Sequence, residues 1–472
     1  MRRAGLATAL CVLIVLAAGF VSAGAAQARE APVLRGICDP GLIESWRTRG
    51  PAVVREFSTR LGADVVRVNL RWSESEHRRG VYDEDYLGRA LSAVQAIRAE
   101  GMQAVVLVYQ PPRWASDRSL WGHPVRGDRA GVYQPYYAPS LNSLGAFEAF
   151  ARHLSAKLRG EVLTYSCWVE PNLWTYLYPQ RTAADPAFAA HRYTRMLAAF
   201  SAGVRAGDPT ALVAAGETSP TGDNTRLRTS PQRFARQISS AGAGAFFDVY
   251  AHHPYPVAGN RDISPGAMPR NPDRTVWLAN LGQLLEVFPG KTFYLSEFAY
   301  STAYSMVFGV SVSQARQAAY LTASYRIAAR YPQVALLTWF PRRDHADNGS
   351  YTDRFGLYCG LRDLRGKRKR AYYAFAGGNR LTLRAPSAVR EGATLLLRGR
   401  LTSERMGPLA AKSLTVVARR PGGSWRVMAG VRTRSDGSYA VRVRPRGSAT
   451  WLVRWTGVVG SQTEWVPVTA TR

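Results

Sequence analysis

Acidic residues are scarce in this 472-residue chain. It carries 33 Asp and Glu against 62 Lys and Arg, a formal net charge of +29. Nearly all the basic residues are Arg. Such a surplus favours contact with anionic surfaces such as acidic cell-wall polymers or phospholipid headgroups. Nucleic acid is a poorer partner, because no recognised nucleic-acid module is present. Cysteine is scarcer still, at four residues. The cysteine spacings do not suggest a zinc site. No Gly-rich phosphate turn follows any predicted strand, which argues against a doubly wound, nucleotide-binding sheet. Neither a metal nor an organic cofactor is implied. Beyond the first residues, no run is long and apolar enough to span a bilayer.

The first residues read as a targeting segment. Arg2 and Arg3 precede an apolar run from Leu6 to Val21, and Ala26-Gln27-Ala28 follows as a small-x-small cleavage site. This pattern predicts a signal peptide over 1–28 and a secreted or cell-wall-associated protein, expected as a monomer. An uncleaved anchor is the alternative, since the run approaches spanning length. Cys11 lies inside the run and is poorly placed for a lipid anchor. Cys38, Cys167 and Cys359 then remain, an odd number that leaves at least one free thiol.

At 46% hydrophobic and 20% charged residues, the rest has an ordinary globular composition. Strand-like runs at 33–38, 64–70, 103–110, 163–168, 212–215, 246–251, 292–295 and 335–339 alternate with amphipathic segments. Most of these runs are apolar and β-branched without period-2 alternation, as expected of strands covered by helices. The segments 85–100, 144–158, 191–206 and 313–330 carry apolar residues at helical spacing. Eight strands alternating with helices predict an α/β fold, a (β/α)₈ barrel over 29–379. Closure of that barrel makes the first and eighth strands neighbours, which suggests a Cys38–Cys359 disulfide. Cys167 then packs as a small buried residue. From 380 to 472 the character changes to short alternating runs separated by Pro421-Gly422-Gly423 and Asp436-Gly437. These predict a small all-β, immunoglobulin-like sandwich. It holds 17 basic residues against 4 acidic ones, so it is the most basic part of the chain.

Two glutamates stand out. Glu170 in Trp-Val-Glu-Pro-Asn follows the fourth predicted strand, and Glu297 in Tyr-Leu-Ser-Glu-Phe follows the seventh. A (β/α)₈ barrel builds its active site at the C-terminal ends of its strands. A lone Glu at a strand end is more often a salt-bridge partner than a catalyst. Two facing carboxylates, however, are the minimal apparatus for breaking a glycosidic bond. In a retaining mechanism one attacks the anomeric carbon, while the other protonates the leaving oxygen and then deprotonates water. Their surroundings must therefore give them different pKa values.

Trp168-Val169-Glu170-Pro171-Asn172 resembles the Trp-Asn-Glu-Pro-Asn signature of the large clan of retaining (β/α)₈ glycoside hydrolases that includes the cellulase-like family five and family thirty-nine. Leu295-Ser296-Glu297-Phe298 resembles the clan's seventh-strand segment. Further segments match in order: Val66-Arg67-Val68 through Trp72, Gly80-Val81-Tyr82, Pro111 to Ala115, His253-Pro254-Tyr255, Trp339, Phe355-Gly356-Leu357 and Ala371-Tyr372-Tyr373. The resemblance covers about residues 33–376 and implies a secreted retaining O-glycosyl hydrolase acting on a polysaccharide or glycoconjugate. It implies Glu297 as nucleophile and Glu170 as acid/base. Arg67 is expected on the nucleophile, Tyr255 on the nucleophile or near the sugar ring oxygen, His253 on Glu170 or a sugar hydroxyl, and Trp339 under the −1 sugar. Trp114, with Trp72 and Trp174, is a candidate for outer subsites or for core packing. His252, facing the other way along its strand, is expected to be structural.

One position departs from the resemblance. Val169 stands where the clan has an Asn that hydrogen-bonds the substrate 2-hydroxyl, and Val can neither donate nor accept. Another side chain replaces that Asn, or the sugar lacks an ordinary free 2-hydroxyl, or activity is low. A non-catalytic glycan-binding or cell-wall-associated protein on the same fold is the alternative reading, since a fold does not guarantee its usual chemistry.

Overall fold

The computed structural model describes residues 33–122, 131–257, 263–304, 311–346, 357–376, 379–403, 407–421, 423–455 and 466–471. The expected signal peptide, Phe355-Gly356, Gly377-Gly378 and the turn residue Gly422 lie outside the described residues. No helix among the described residues is long and apolar enough to cross a membrane.

Eight parallel strands close into a barrel. They are β1 (Leu34–Cys38), β2 (Val65–Arg71), β3 (Gln103–Tyr109), β4 (Thr164–Cys167), β5 (Leu212–Thr218), β6 (Val249–His252), β7 (Thr292–Phe298) and β8 (Val334–Trp339). Closure comes from β1 pairing β8, with Ile37 opposite Trp339. Each expected strand is present, with ends displaced by a few residues. Val65, Val105, Ala214, Val249, Ala251, Tyr294 and Leu336 fill the lower lumen. A much larger apolar shell lies between the strands and the surrounding helices. These two layers explain why the strands read as continuous apolar runs: both of their faces are buried.

Two of the barrel helices begin at a side-chain cap. Asp83 accepts a hydrogen bond from Tyr86 N at 2.8 Å and starts the helix Glu84–Ala99. Ser313 caps Gln314–Ala328 in the same way. A side-chain oxygen at this position satisfies an otherwise orphaned N–H.

Two strands break their period near the mouth of the barrel. Register slips between Gly216 and Thr218 in β5 and between Leu295 and Phe298 in β7. Strict alternation from the lumen-facing Ala214 and Tyr294 would turn Glu217 and Glu297 outward. The irregularities turn both carboxylates inward, as bulges at barrel rims commonly do. Gly216 permits the first of these. Its φ is 93°, and an added Cβ would come within 2.6 Å of Ala251 O.

After the helix Arg370–Phe375 the chain forms two further sheets. The remaining strands are β9 (Asn379–Leu381), β10 (Ala388–Arg390), β11 (Leu395–Ser403), β12 (Gly407–Pro408), β13 (Ser413–Arg419), β14 (Arg426–Arg432), β15 (Ser438–Val443), β16 (Ala449–Arg454) and β17 (Val466–Thr471). One sheet runs β10-β17-β16-β13-β14. The other runs β12-β11-β15, with β9 paired to β11. They form a sandwich over a common core that includes Leu395, Leu397, Val416, Tyr439, Trp451 and Val453.

The expected Cys38–Cys359 disulfide is not formed. All three described cysteines are free and buried. Adjacent strands do not suffice, because the thiols point to different partners. Cys38 Sγ lies 3.8 Å from Asn69 Oδ1, while the Cys359 thiol hydrogen-bonds Ser301. Burial pushes the Cys38 thiol up to about 12. A thiol reagent should therefore leave Cys38, Cys167 and Cys359 unmodified in the native protein and label all three after denaturation. Non-reducing peptide mapping that recovered a Cys38–Cys359 linkage would overturn this assignment.

Candidate active site

Arg67 faces the lumen from β2 and is 1% exposed. Its Nη1 donates to Glu297 Oε1 at 2.8 Å, and its Nη2 donates to Glu217 Oε2 at 3.2 Å. Tyr255 OH donates to the other oxygen of Glu297 at 3.0 Å. His253, one residue beyond β6, lies between three carboxylates. Its Nδ1 is 3.0 Å from Glu170 Oε1 and 3.7 Å from Glu297 Oε2, and its Nε2 is 2.8 Å from Glu217 Oε2. The closed barrel thus brings the ends of β2, β4, β5, β6 and β7 to one charged cluster.

Of the charged members of the cluster, only Glu170 and Glu297 reach solvent appreciably. Side-chain exposure is 16% for Glu170 and 11% for Glu297, against 1% for Glu217 and 0% for His253. A ligand entering from the mouth therefore meets Glu170 and Glu297. Arg67 and His253 are sealed behind them, with both Nη atoms of Arg67 and both ring nitrogens of His253 turned onto carboxylates, so they position Glu297 and Glu170. No face of either side chain is open to a sugar. His252 points away from the lumen, with its ring nitrogens 2.8 Å from Thr218 Oγ1 and 3.1 Å from Val276 O.

The other candidates are distributed unequally. Trp339 is 1% exposed, stands edge-on to Phe298 and donates its indole N–H to Cys359 O at 2.9 Å. Val169 is 6% exposed. Trp72 belongs to the core, packed on Phe147 with ring centroids 4.7 Å apart. Trp114 is half-buried against the edge of Trp72 and donates to Glu76 O at 2.9 Å. Trp174 is half-buried beside Tyr136. Asn172 is wholly buried and ties the loops together, accepting from Ser219 N and donating to Thr229 O at 2.9 Å each.

Sequence reasoning missed Glu217. Its signal was the one used for Glu170 and Glu297, a carboxylate at a strand end. A strand predicted to stop at 215 leaves Glu217 in a loop, whereas β5 runs on to Thr218.

The backbone around these groups is held in sparsely populated conformations. Gln110, Trp168, Glu170 and Glu217 have φ of 60°, 67°, 36° and 47°. Such residues cost on the order of 1–3 kcal/mol each and cluster at functional sites. They are held by strand-end hydrogen bonds, Glu170 N to Glu217 O and His253 N to Thr218 O, both at 2.9 Å.

Burial raises the pKa of Glu170 above the ordinary carboxylate range, and the His253 hydrogen bond opposes that rise only in part. Glu217 is buried more deeply still, but the charges of Arg67 and His253 outweigh desolvation and hold it at about 2. Burial works against a charge on His253, yet Glu297, Glu170 and Glu217 carry it up to about 10. At neutral pH the ring is an imidazolium. Among the described residues, no group of His, Cys, Asp and Glu is arranged to hold a metal ion.

These shifts make stability pH-dependent in two directions. The contribution of Glu217 is present above the ordinary Glu range and is lost as pH falls toward about 2. The contribution of His253 is full below the unfolded value near 6.5 and is lost as pH rises through about 10. The contributions of Glu217 and His253 should therefore be full together at roughly pH 4.5–6.5. Thermal unfolding of wild type and His253→Gln across pH 6–10 checks this. The gap between their midpoints should narrow with rising pH, and a constant gap would exclude the imidazolium.

No family model matches the chain, and no curated protein matches its sequence. Solved structures do resemble it. The β-glycosidase BGL167 aligns at TM-score 0.51 and 14% identity, over 73% of this chain and 95% of that one. A GH5_18 protein from Streptomyces cattleya, a variant in complex with Manβ1-4GlcNAc, aligns at TM-score 0.52 and 15% identity, over 73% and 79%. The exo-β-1,4-mannosidase Op5Man5 from Opitutaceae bacterium strain TAV5 aligns at TM-score 0.49 and 18% identity over 73% of this chain, which spans 58% of that chain's length. At these identities the likeness is one of fold, and the chain has the closed eight-stranded parallel barrel found in these glycoside hydrolases.

Proposed function

We propose that the protein is an exported retaining glycoside hydrolase that cleaves O-glycosidic bonds of a polysaccharide or glycoconjugate by double displacement. The observation that carries the reading is the solvent-touching pair Glu170 and Glu297, joined through one nitrogen of His253. The two contacts to Nδ1, 3.0 and 3.7 Å, bound the separation of those two carboxylate oxygens at about 6.7 Å. That ceiling leaves room for the spacing of about 5–5.5 Å that retaining enzymes use, and the retaining assignment itself rests on the resemblance of the two glutamate segments to the clan.

The roles follow from the surroundings. Glu297 is the nucleophile. Arg67 and Tyr255 orient one oxygen each, and a carboxylate oxygen with a further lone pair attacks the anomeric carbon. Glu170 is the acid/base. Its raised pKa keeps a proton available for the leaving oxygen, and the resulting carboxylate then takes a proton from the incoming water. Microscopic reversibility returns that proton to Glu170 as the glycosyl ester is hydrolysed. Export rests on the N-terminal pattern of Arg2, Arg3 and Ala26-Gln27-Ala28.

Glu170→Gln and Glu297→Gln should each lower turnover by at least about 10²-fold on whichever glycan wild type hydrolyses. A mechanism-based glycosyl inhibitor should label Glu297, as read by peptide mass spectrometry. Equal hydrolysis by wild type and both variants would remove the assignment.

A glycan-binding role without turnover is favoured by Val169, which brings no hydrogen-bonding group to the position before Glu170. We also propose that the C-terminal sandwich contacts an anionic cell-wall polymer. A groove of about 620 Å³ there is lined by Arg398, Arg434 and Arg442, with Tyr439 and Val441 among its other walls and no carboxylate. If so, retention on purified cell wall should fall with added salt and fall further in an Arg398→Ser/Arg442→Ser variant. Retention indifferent to both would argue that the basic face is simply solvated.

A further inference from the structure

Glu217 takes no part in the reaction proposed above, yet it gathers more donors than either reacting carboxylate. Its Oε1 accepts from Ser166 Oγ at 2.6 Å. Its Oε2 accepts from His253 Nε2 at 2.8 Å, from Ser296 Oγ at 2.8 Å and from Arg67 Nη2 at 3.2 Å. These donors come from β2, β4, β7 and the residue after β6. With a side-chain exposure of 1%, Glu217 is beyond the reach of substrate. A sealed carboxylate that already holds four donors is an anchor.

The anchor acts on His253. An ionised carboxylate has no proton to give, so the ring nitrogen facing it must carry one. Glu217 therefore fixes the proton on Nε2 and the orientation of the ring. Nδ1 then faces Glu170 Oε1 at 3.0 Å and Glu297 Oε2 at 3.7 Å, where a second proton is attracted by both. Among the described residues, Arg67 from β2 is the one cation facing this group. Tyr255 lies beyond Glu297, and His252 is kept neutral by burial.

We propose that Glu217 is the positioning residue of the acid/base: by gripping His253 at Nε2 and Arg67 at Nη2, it directs the Nδ1–H of His253 onto Oε1 of Glu170 and leaves Oε2 of Glu170 to carry the exchangeable proton. This rests on the reading of Glu170 as acid/base. It also accounts for how one carboxyl group can serve in both half-reactions. Burial favours the protonated form needed before the leaving group departs. The adjacent imidazolium favours the carboxylate that forms afterwards. Without Glu217 the ring would lose its proton more readily, and Glu170 would keep only the first of these influences.

Nitrogen-15 NMR of histidine-labelled protein tests the proposal, with His253→Gln to assign the signal. In wild type both ring nitrogens of His253 should carry protons from pH 5 to beyond pH 8. In Glu217→Gln the midpoint should fall by two units or more, a hundredfold loss of proton affinity, and Glu217→Asp should restore part of it. On aryl glycosides, Glu217→Gln should lose at least about tenfold more turnover with a poor leaving group than with an activated one, which needs no acid. A wild-type His253 that titrates near 6.5 would overturn the proposal, and this reading holds even if Glu217→Gln fails to fold. So would a folded Glu217→Gln with an unmoved midpoint. If His253 behaves as expected while no glycoside is turned over, the grip of Glu217 on His253 stands and the acid/base assignment falls.

Discussion

Burying charge is expensive, and this barrel gathers five acidic or basic side chains, Arg67, Glu170, Glu217, His253 and Glu297, at one end. Arg67 and Glu217 are 1% exposed, and His253 is not exposed at all. An isolated ion there would cost several kcal/mol even after relaxation. The cost is tolerable only because each charge meets its opposite within hydrogen-bonding distance. Arg67 spans Glu217 and Glu297, while His253 spans Glu170 and Glu217. Removing one member leaves another uncompensated, which makes the cluster an all-or-none arrangement. Everything functional about the mouth depends on it, since the two carboxylates that reach solvent are held by residues that do not.

That arrangement requires the strands to depart from regularity. A perfectly alternating β5 and β7 would present Glu217 and Glu297 to the helices. The slips in register at Gly216–Thr218 and Leu295–Phe298 reverse this. The left-handed φ values at Trp168, Glu170 and Glu217 do the corresponding work on β4 and β5. Each is a local cost, and the charge pairing it permits is the offset. The same geometry separates two jobs that one carboxylate could not do together. Glu217 is pinned as an anion by Arg67, and Glu170 is left titratable by burial.

Val169 bears on what the site accepts. It is nearly buried between two residues of left-handed φ, Trp168 and Glu170. Its side chain can neither donate nor accept, so it brings no hydrogen-bonding group to the position before Glu170. Much of the mouth is built from aromatic rings committed to core packing, with Trp72 and Trp339 almost wholly enclosed.

The barrel was legible in the sequence because burial on both faces writes apolar, β-branched runs that no other element shares. The helices were legible from apolar spacing, and the caps at Asp83 and Ser313 emerged with the structure. The pair Glu170 and Glu297 was legible because strand ends at a barrel mouth converge whatever their separation along the chain. Other features lay beyond the sequence. Whether Cys38 bonds Cys359 depends on which way two thiols point, and here they face Asn69 and Ser301. Whether Glu217 faces the lumen depends on a bulge one residue long. The protonation of His253 depends on three carboxylates drawn from distant segments. The sequence by itself determined which residues could carry charge into the barrel. Only the tertiary structure decided which of them are sealed and which are exposed, because desolvation and pairing are properties of the assembled end of the barrel.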